Sequence, residues 1–552
     1  MFKNISIKTA SFARYCLWFL IVASAATIVS GIIARCSANL VWDDAYMLVR
    51  YADNILASKT IAWNPNGEPT YGFTSIGFLG IVLSIRMLWP HNAAFTAFAS
   101  SSLCGLAFIF ALMALLCKQI PDRPLLRLAI IALVLFSMAL AVSNLTIHFA
   151  SGMDTTFALA FLTTYLILIT WQARASSSIS AWLTAIWGGL AFPARPDLLV
   201  YTLGLPLAVI VFSKDAQARR RGVLILASST LMTLVEIFFF AQYFHSPLPL
   251  PFYAKTQGIY GEYIRGVYRS VPLRQLYDYV LSFPILVLVV LAAAIIDLRE
   301  WWQSASAITK GLLFSSLAFA GYYLLFVLQI MPYGQRFYYP TFPALALLAA
   351  QSAIIIMDKT RPLYPSPSVI QASSLARKIP MAVLAALLFF LLPQARNQAT
   401  RIRDSITGGE MARFNLLAEY KSQAANYWFC LDQFSALSDD LMIATTEVGY
   451  PAAMNPRKAV IDLSGLNETT IAHSGFSAET FFQQYQPDLI YMPHPHYKEM
   501  IQQITNNPYF IAHYELLDSP QTAATLGTAL RRDSLYYASM RQLADECSKS
   551  HR

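Results

Sequence analysis

The stretch FTSIGFLGIVLSIRMLW, Phe73–Trp89, is apolar enough to enter a membrane and carries a single charge, Arg86. Whether it crosses decides which face every other loop occupies. The chain around it has 552 residues, 56% hydrophobic and 13% charged, with mean hydropathy +0.47. A soluble domain carries about 25% charged residues. Apolar runs of about 20 residues, the length of a spanning helix, recur along this chain. Together these features exclude an ordinary soluble globular protein.

Expected spans lie at 16–34, 93–117, 127–147, 153–171, 179–193, 197–213, 222–243, 279–297, 311–331, 339–357 and 379–393, those at 179–193 and 379–393 being short. Lys3, Lys8 and Arg14 precede the first run, which is long for a cleaved signal and reads as an uncleaved anchor with its N-terminus inside. If 73–89 does not cross, the inside loops are KQIPDRPLLR, QARASSS, SKDAQARRRG, DLREWWQSASAITK and MDKTRPLYPSPSVIQASSLARK. Each is basic or near neutral, as cytoplasmic loops are. If it crossed, all of them would flip outward. The stretch therefore reads as an interfacial or re-entrant helix, with Arg86 at the boundary. The result is an α-helical polytopic membrane protein of about 11 spans, N-terminus in and C-terminal tail out.

The net charge of +9 is uneven. From Pro393 onward 13 Lys+Arg stand against 17 Asp+Glu, so the basic excess belongs to the membrane part and reflects topology. No basic run carries interleaved aromatics on a soluble face, which argues against nucleic acid. Within the tail, LMIATT, AVIDL and PDLIYMP read as short buried strands separated by helix-like stretches. The expected division is a multi-span domain over 1–393 and an extracytoplasmic α/β domain over 394–552. Of six cysteines, Cys16, Cys104 and Cys117 fall in apolar stretches; Cys430 and Cys547 lie in the tail and either pair or stay as thiols. No cysteine or histidine spacing suggests a metal site.

The outer face collects the candidate chemistry. In NLVWDDAYMLVRYADN, residues 39–54, Asp43 and Asp44 stand side by side just beyond the first span. Adjacent carboxylates repel, which can raise the pKa of one of them, and such a group suits deprotonation of an alcohol or binding of sugar hydroxyls. On a helix Arg50 shares a face with Asp43 and is a candidate orienter. In LPLPFYAKTQG, prolines hold an extended loop that presents Lys255, beside Tyr253, as a point charge for phosphate. FPARPDLLVY places Arg195 and Asp197 in a break between spans, where they pair with each other or leave Arg195 for bidentate phosphate contact. MPYGQRFYYP sets Arg336 among Tyr333, Tyr338 and Tyr339, which suit either a sugar face or the interfacial aromatic belt. HFASGMDTTF adds His148 and Asp154. The tail stretch VGYPAAMNPRKAVIDLSGLN reads as a loop-rich edge able to hold an acceptor, and Glu447 beside it reads as a solvated or functional carboxylate. There is no GxGxxG before a helix, no P-loop and no HExxH. An activated sugar donor on this face would therefore be lipid-linked.

In this order the pieces resemble the GT-C glycosyltransferases that use polyprenyl-phosphate sugars, and within them the terminal β-1,2-arabinofuranosyltransferases; some bacterial pilin glycosyltransferases look similar. The resemblance rests on DDAYMLVRYADNI…WNPNGEPTYGFTS, SGMDTTFALAFL, ARPDLLVY, LPFYAKTQG, RFYYPTFPALALLAA and VIDLSGLN, and covers most of the chain. It implies an inverting transfer of a sugar, a pentofuranose such as arabinofuranose, from a polyprenyl-phosphate donor to an extracytoplasmic glycan or pilin-like protein. Asp44 or Asp43 would be the catalytic base. Lys255, Arg195 and Arg336 would bind the donor phosphate, with Tyr46, Arg50, His148, Asp197, Tyr253 and Tyr338 binding substrate. The lipid-linked donor is a substrate and no further cofactor is implied; the place is a bacterial inner membrane. Asp154 and Asp197 stand where relatives carry Glu, and Phe73 where they carry a small or polar residue, which leaves sugar and acceptor open. The competing readings are a transporter or flippase and a scaffold whose tail binds a partner.

Overall fold

The computed structural model describes residues 2–37, 41–119, 123–175, 177–256, 265–266, 268–330, 333–360, 430–493, 497–517 and 527–550. Six helices among them are long and apolar enough to cross a membrane: Arg14–Ile33, Ala93–Lys118, Thr155–Arg174, Ala216–Phe244, Ala307–Leu325 and Tyr333–Met357. Two further helix pairs are sharply bent, Pro124–Leu140 with Val142–Ala150 by 77° and Val271–Ser282 with Pro284–Ile295 by 86°. The second break coincides with Pro284, which opens the following helix and cannot donate to the preceding turn. The expected spans at 179–193 and 197–213 are the shorter helices Ser178–Gly189 and Leu199–Phe212. The one at 379–393 lies outside the described residues, as does the expected boundary near 393.

The stretch that opened the sequence reading forms the helix Ile76–Leu88, of 13 residues. At 1.5 Å per residue it measures about 20 Å, short of the ~30 Å hydrocarbon core. Ser75 starts it by accepting a hydrogen bond from Phe78 N at 3.2 Å. Near its far end Arg86 is neutralised by Asp53, 2.6 Å away on the helix Asp43–Ser58.

The C-terminal residues build a five-stranded sheet in the order β2-β1-β3-β5-β4, with β1 Ile443–Thr445, β2 Val460–Asp462, β3 Leu489–Tyr491, β4 Tyr514–Leu517 and β5 Thr528–Arg531. The first three lie inside the three apolar stretches read as strands. They pair in parallel, and β5 runs antiparallel to both neighbours. Cys430 and Cys547 form a disulfide, Cα–Cα 6.0 Å, across a separation of 117 residues. It joins the start of this segment to its last helix, Tyr537–Ser550.

The helix Asp43–Ser58 lies between the two parts. Its Val49, Tyr51 and Ala52 are completely buried and share one hydrophobic cluster with Ile443, Val460, Leu489 and Leu530 of the sheet. The C-terminal sheet thus packs on the element that carries the acidic pair.

Candidate active site

The helix Asp43–Ser58 begins after Trp42, whose N–H donates to Ser151 O at 2.9 Å. Asp43 and Asp44 occupy the first turn, where negative charge complements the helix dipole. Successive residues on a helix point about 100° apart, and the two carboxylates enter different surroundings.

Asp43 faces the C-terminal sheet and is buried. Its Oδ2 accepts from Gly449 N at 2.9 Å and its Oδ1 from Tyr450 N at 2.6 Å. The approach is so close that a Cβ on Gly449 would stand 1.8 Å from Asp43 O, so only glycine fits there. The two donors open the helix Tyr450–Met454, which Asp43 therefore caps.

Arg50, two turns further on, takes the other end of that helix. Its guanidinium is fully buried and donates five hydrogen bonds: to Trp63 O at 2.8 Å, Ala452 O at 2.8 Å, Asn455 O at 2.9 Å, Asn64 Oδ1 at 3.0 Å and Lys458 O at 2.8 Å. The same face that carries Asp43 does carry Arg50, but Arg50 is turned to carbonyl oxygens and not to Asp43. Asp43 at the amino end and Arg50 at the carboxyl end bracket one short helix with the charges its dipole favours.

Asp44 points the opposite way. Its Oδ2 accepts from both terminal nitrogens of Arg336, each at 3.3 Å. Arg336 is 8% exposed, lies over the Trp42 and Phe337 rings at 5.8 and 5.1 Å, and its Nε has no hydrogen-bond partner among the described residues. Lys255, on the short helix Leu250–Thr256, reaches the same Phe337 ring at 6.0 Å. Burial and then the Arg336 charge push its ammonium down to about 8, opposed by Asp44 and Asp154, with Arg195 adding to the depression. Arg195 itself lies 3.1 Å from Asp197 and 3.8 Å from Asp154, and donates to Tyr323 Oη at 3.2 Å. Tyr323 in turn donates to Asp197 at 2.6 Å. Of the two alternatives for Arg195, its pairing with Asp197 is present, and through Tyr323, whose ring lies 5.5 Å from Phe337, it adjoins the Arg336 and Lys255 group.

The structure brings Asp44, Arg336, Lys255 and Arg195 together. The remaining expected substrate residues take other places. His148 is fully buried and hydrogen-bonds through Nε2 to Gly334 O at 2.8 Å, pinning the turn before Arg336, where Gly334 and Gln335 have positive φ. Tyr338 is buried, donating to Pro272 O and accepting from Gln329. Tyr46 packs edge-on against Tyr450, and Tyr253 against His473, rings 5.4 and 4.2 Å apart. Of the tyrosines flanking Arg336, Tyr333 remains 42% exposed, its ring 5.5 Å from Trp42. Phe337 and Trp42 were passed over although each adjoins a residue already singled out. Tyr323 offered no signal, because it lies inside an apolar helix.

No family model matches the chain, and no curated protein matches it. Among solved structures it is similar to ArnT from Cupriavidus metallidurans bound to undecaprenyl phosphate, with TM-score 0.52 and 11% identity over 93% of this chain and 97% of that one. ArnT of the same organism in the apo state gives TM-score 0.50 and 12% identity over 94% and 98%. The likeness runs the length of both chains, and the fold is accordingly the GT-C-like membrane fold with a C-terminal α/β part.

Proposed function

We propose that this chain is a membrane glycosyltransferase that moves a sugar from a polyprenyl-phosphate donor to an acceptor hydroxyl. One observation carries the reading: a half-buried carboxylate, Asp44, stands against Arg336 with Lys255 and Arg195 beside it. The chemistry needs both kinds of group. The acceptor O–H gives its proton to Asp44, the acceptor oxygen bonds to the anomeric carbon, and the bond from that carbon to the phosphate oxygen breaks with inversion. The electron pair leaves with the phosphate, whose charge Arg336 and Lys255 offset. The Arg336 Nε–H, without a partner among the described residues, is the donor left for this task. Asp43 is the anchor of the helix, since both of its oxygens serve backbone donors.

The finer reading is a pentofuranose donor such as polyprenyl-phosphoryl arabinofuranose and an extracytoplasmic glycan or protein acceptor. It rests on the ordered motifs from DDAYMLVRYADNI to VIDLSGLN. Placement of the N-terminus inside and the C-terminal part outside a bacterial inner membrane rests on the Lys and Arg distribution. The Cys430–Cys547 disulfide supports it, because such bonds persist in oxidising compartments. The test uses the full chain in nanodiscs with synthetic polyprenyl-phosphoryl arabinofuranose and measures release of polyprenyl phosphate. Release by the wild type and its loss in Asp44→Asn support the proposal. Failure of the wild type to bind undecaprenyl phosphate, or full activity in Asp44→Asn, overturns it.

A further inference from the structure

Lys255 sits on the helix Leu250–Thr256, which is only seven residues long. A helix that short does not hold its place by its own hydrogen bonds, so packing decides where Lys255 points. Pro247 and Pro249 lead into it, and Pro251 stands in its first turn, where the missing N–H has no intrahelical partner to lose. Its first residue is tied to the membrane part: Leu250 is buried, and its N donates to Tyr71 O at 2.8 Å. Its middle is tied to the C-terminal part. Ala254 is completely buried in one apolar cluster with Ala444, Ile461, Leu463 and Ile471. Tyr253 places its ring 4.2 Å from that of His473.

Successive residues on a helix point about 100° apart. Tyr253 and Ala254 therefore hold two faces of the short helix to the C-terminal part, and Lys255 comes out on another. There its Nζ lies 6.0 Å from the centroid of the Phe337 ring, and the Arg336 guanidinium lies 5.1 Å from the same centroid. The surface that receives the short helix is itself anchored. His473 belongs to the helix Thr469–Ser474, which packs on Leu250–Thr256. Glu468 caps that helix, accepting from Thr470 N at 3.2 Å and Ile471 N at 2.5 Å. Tyr485 Oη donates to the same carboxylate at 2.6 Å, and Ile471 and Ala472 are buried in the C-terminal part. His473 itself is exposed, so its ring meets Tyr253 without being part of the core.

We propose that His473 is a positioning residue of the phosphate clamp: through Tyr253 it fixes the helix Leu250–Thr256 and so sets Lys255 beside Arg336. Lys255 is the group that meets the phosphate, and His473 acts only through it. The proposal rests on the glycosyltransferase reading and adds that the C-terminal part takes a share in donor binding.

The experiment uses the full chain in nanodiscs and undecaprenyl phosphate as the probe. His473→Ala is expected to weaken its binding about fivefold, the scale of one lost ring pair, with thermal unfolding unchanged. His473→Phe, which keeps a ring, stays within about twofold of wild type. In a Lys255→Met background His473→Ala adds no further loss, because its effect passes through Lys255. A second measurement needs no lipid: the pH dependence of Lys255 acylation, followed by mass spectrometry. Burial first, then Arg336, hold the Lys255 ammonium down at about 8, with Asp44, Arg195 and Asp154 also facing it. The acylation midpoint is expected to rise toward the ordinary ~10.4 when His473→Ala lets Lys255 into water. Unchanged binding in His473→Ala, a further loss in the Lys255→Met background, a His473→Phe as weak as His473→Ala, or an unmoved acylation midpoint overturns the proposal. If the wild type fails to bind undecaprenyl phosphate while the midpoint still moves, the positioning stands and the glycosyltransferase reading has failed.

Discussion

Arg50 and Arg336 are both buried beside the same short acidic segment, yet their pockets differ in kind. All five hydrogen-bond donors of Arg50 are met by neutral oxygens, four of them backbone carbonyls, and its plane lies 4.9 Å from the Trp63 ring. Arg336 shares one carboxylate oxygen at 3.3 Å, makes a longer contact to Ile330 O at 3.4 Å, and leaves Nε without a partner among the described residues. A buried arginine whose donors are all met is part of the fold. One whose donors are only partly met retains capacity for an anion. The difference divides the first turn of the helix as well, with Asp43 on the closed side and Asp44 on the open side.

The comparison can be broken at four points. The largest effect is expected at Asp44: Asp44→Asn should lower transfer about 10²–10⁴-fold, the range for losing a general base, with thermal unfolding unchanged. Comparable loss of thermal stability in Asp44→Asn would move Asp44 to the structural side. Next comes Arg50→Met, which removes five buried hydrogen bonds and leaves the Lys458 carbonyl without a donor among the described residues, while the carbonyls of Trp63, Ala452 and Asn455 keep Asn54 Nδ2, Asn455 N and Lys458 N. It should destabilise the chain by about 3–5 kcal/mol, the scale of losing several hydrogen bonds from a charged donor, read as a lower unfolding midpoint and faster proteolysis of the C-terminal part. An Arg50→Met variant that unfolds like wild type but loses undecaprenyl phosphate would erase the distinction.

Arg336→Gln is expected to do the reverse, weakening undecaprenyl phosphate binding about 10–100-fold, the scale of charge-assisted hydrogen bonds, with little change in unfolding. The smallest effect concerns Lys255. With its ammonium pushed down to about 8, it loses its proton as pH rises through that value. Undecaprenyl phosphate affinity should then fall by up to about tenfold between pH ~7 and ~9, while Lys255→Arg, always protonated, shows a flatter profile. A wild-type profile as flat as that of Lys255→Arg would remove Lys255 from the clamp.

Much of the architecture was legible because it is written locally. Apolar runs report spans through their length, and Phe73–Trp89, read from loop charges as not crossing, contains a helix of only 13 residues, Ile76–Leu88. Strands β1, β2 and β3 are fully buried, and each lies in a compact apolar run. Strands β4 and β5 escaped notice: Tyr514–Leu517 is partly exposed at the sheet edge, and Thr528–Arg531 begins and ends on a polar residue. The 77° bend after Leu140 also had no mark in the sequence, since neither proline nor glycine stands at the break.

By itself, the sequence determined the membrane class, the acidic pair Asp43 and Asp44, the three cations Arg195, Lys255 and Arg336, and a strand-bearing tail with two cysteines. These follow from composition, periodicity and spacing along the chain. Only the tertiary structure decided which aspartate meets a cation, that Asp43–Ser58 is a helix, that Arg50 closes on the C-terminal part, and that Cys430 meets Cys547. Each depends on groups brought together by packing, with as many as 408 residues between partners in the Arg50–Lys458 contact. A one-residue step around a helix turns a side chain by about 100°, and no local pattern states which neighbour waits on either side.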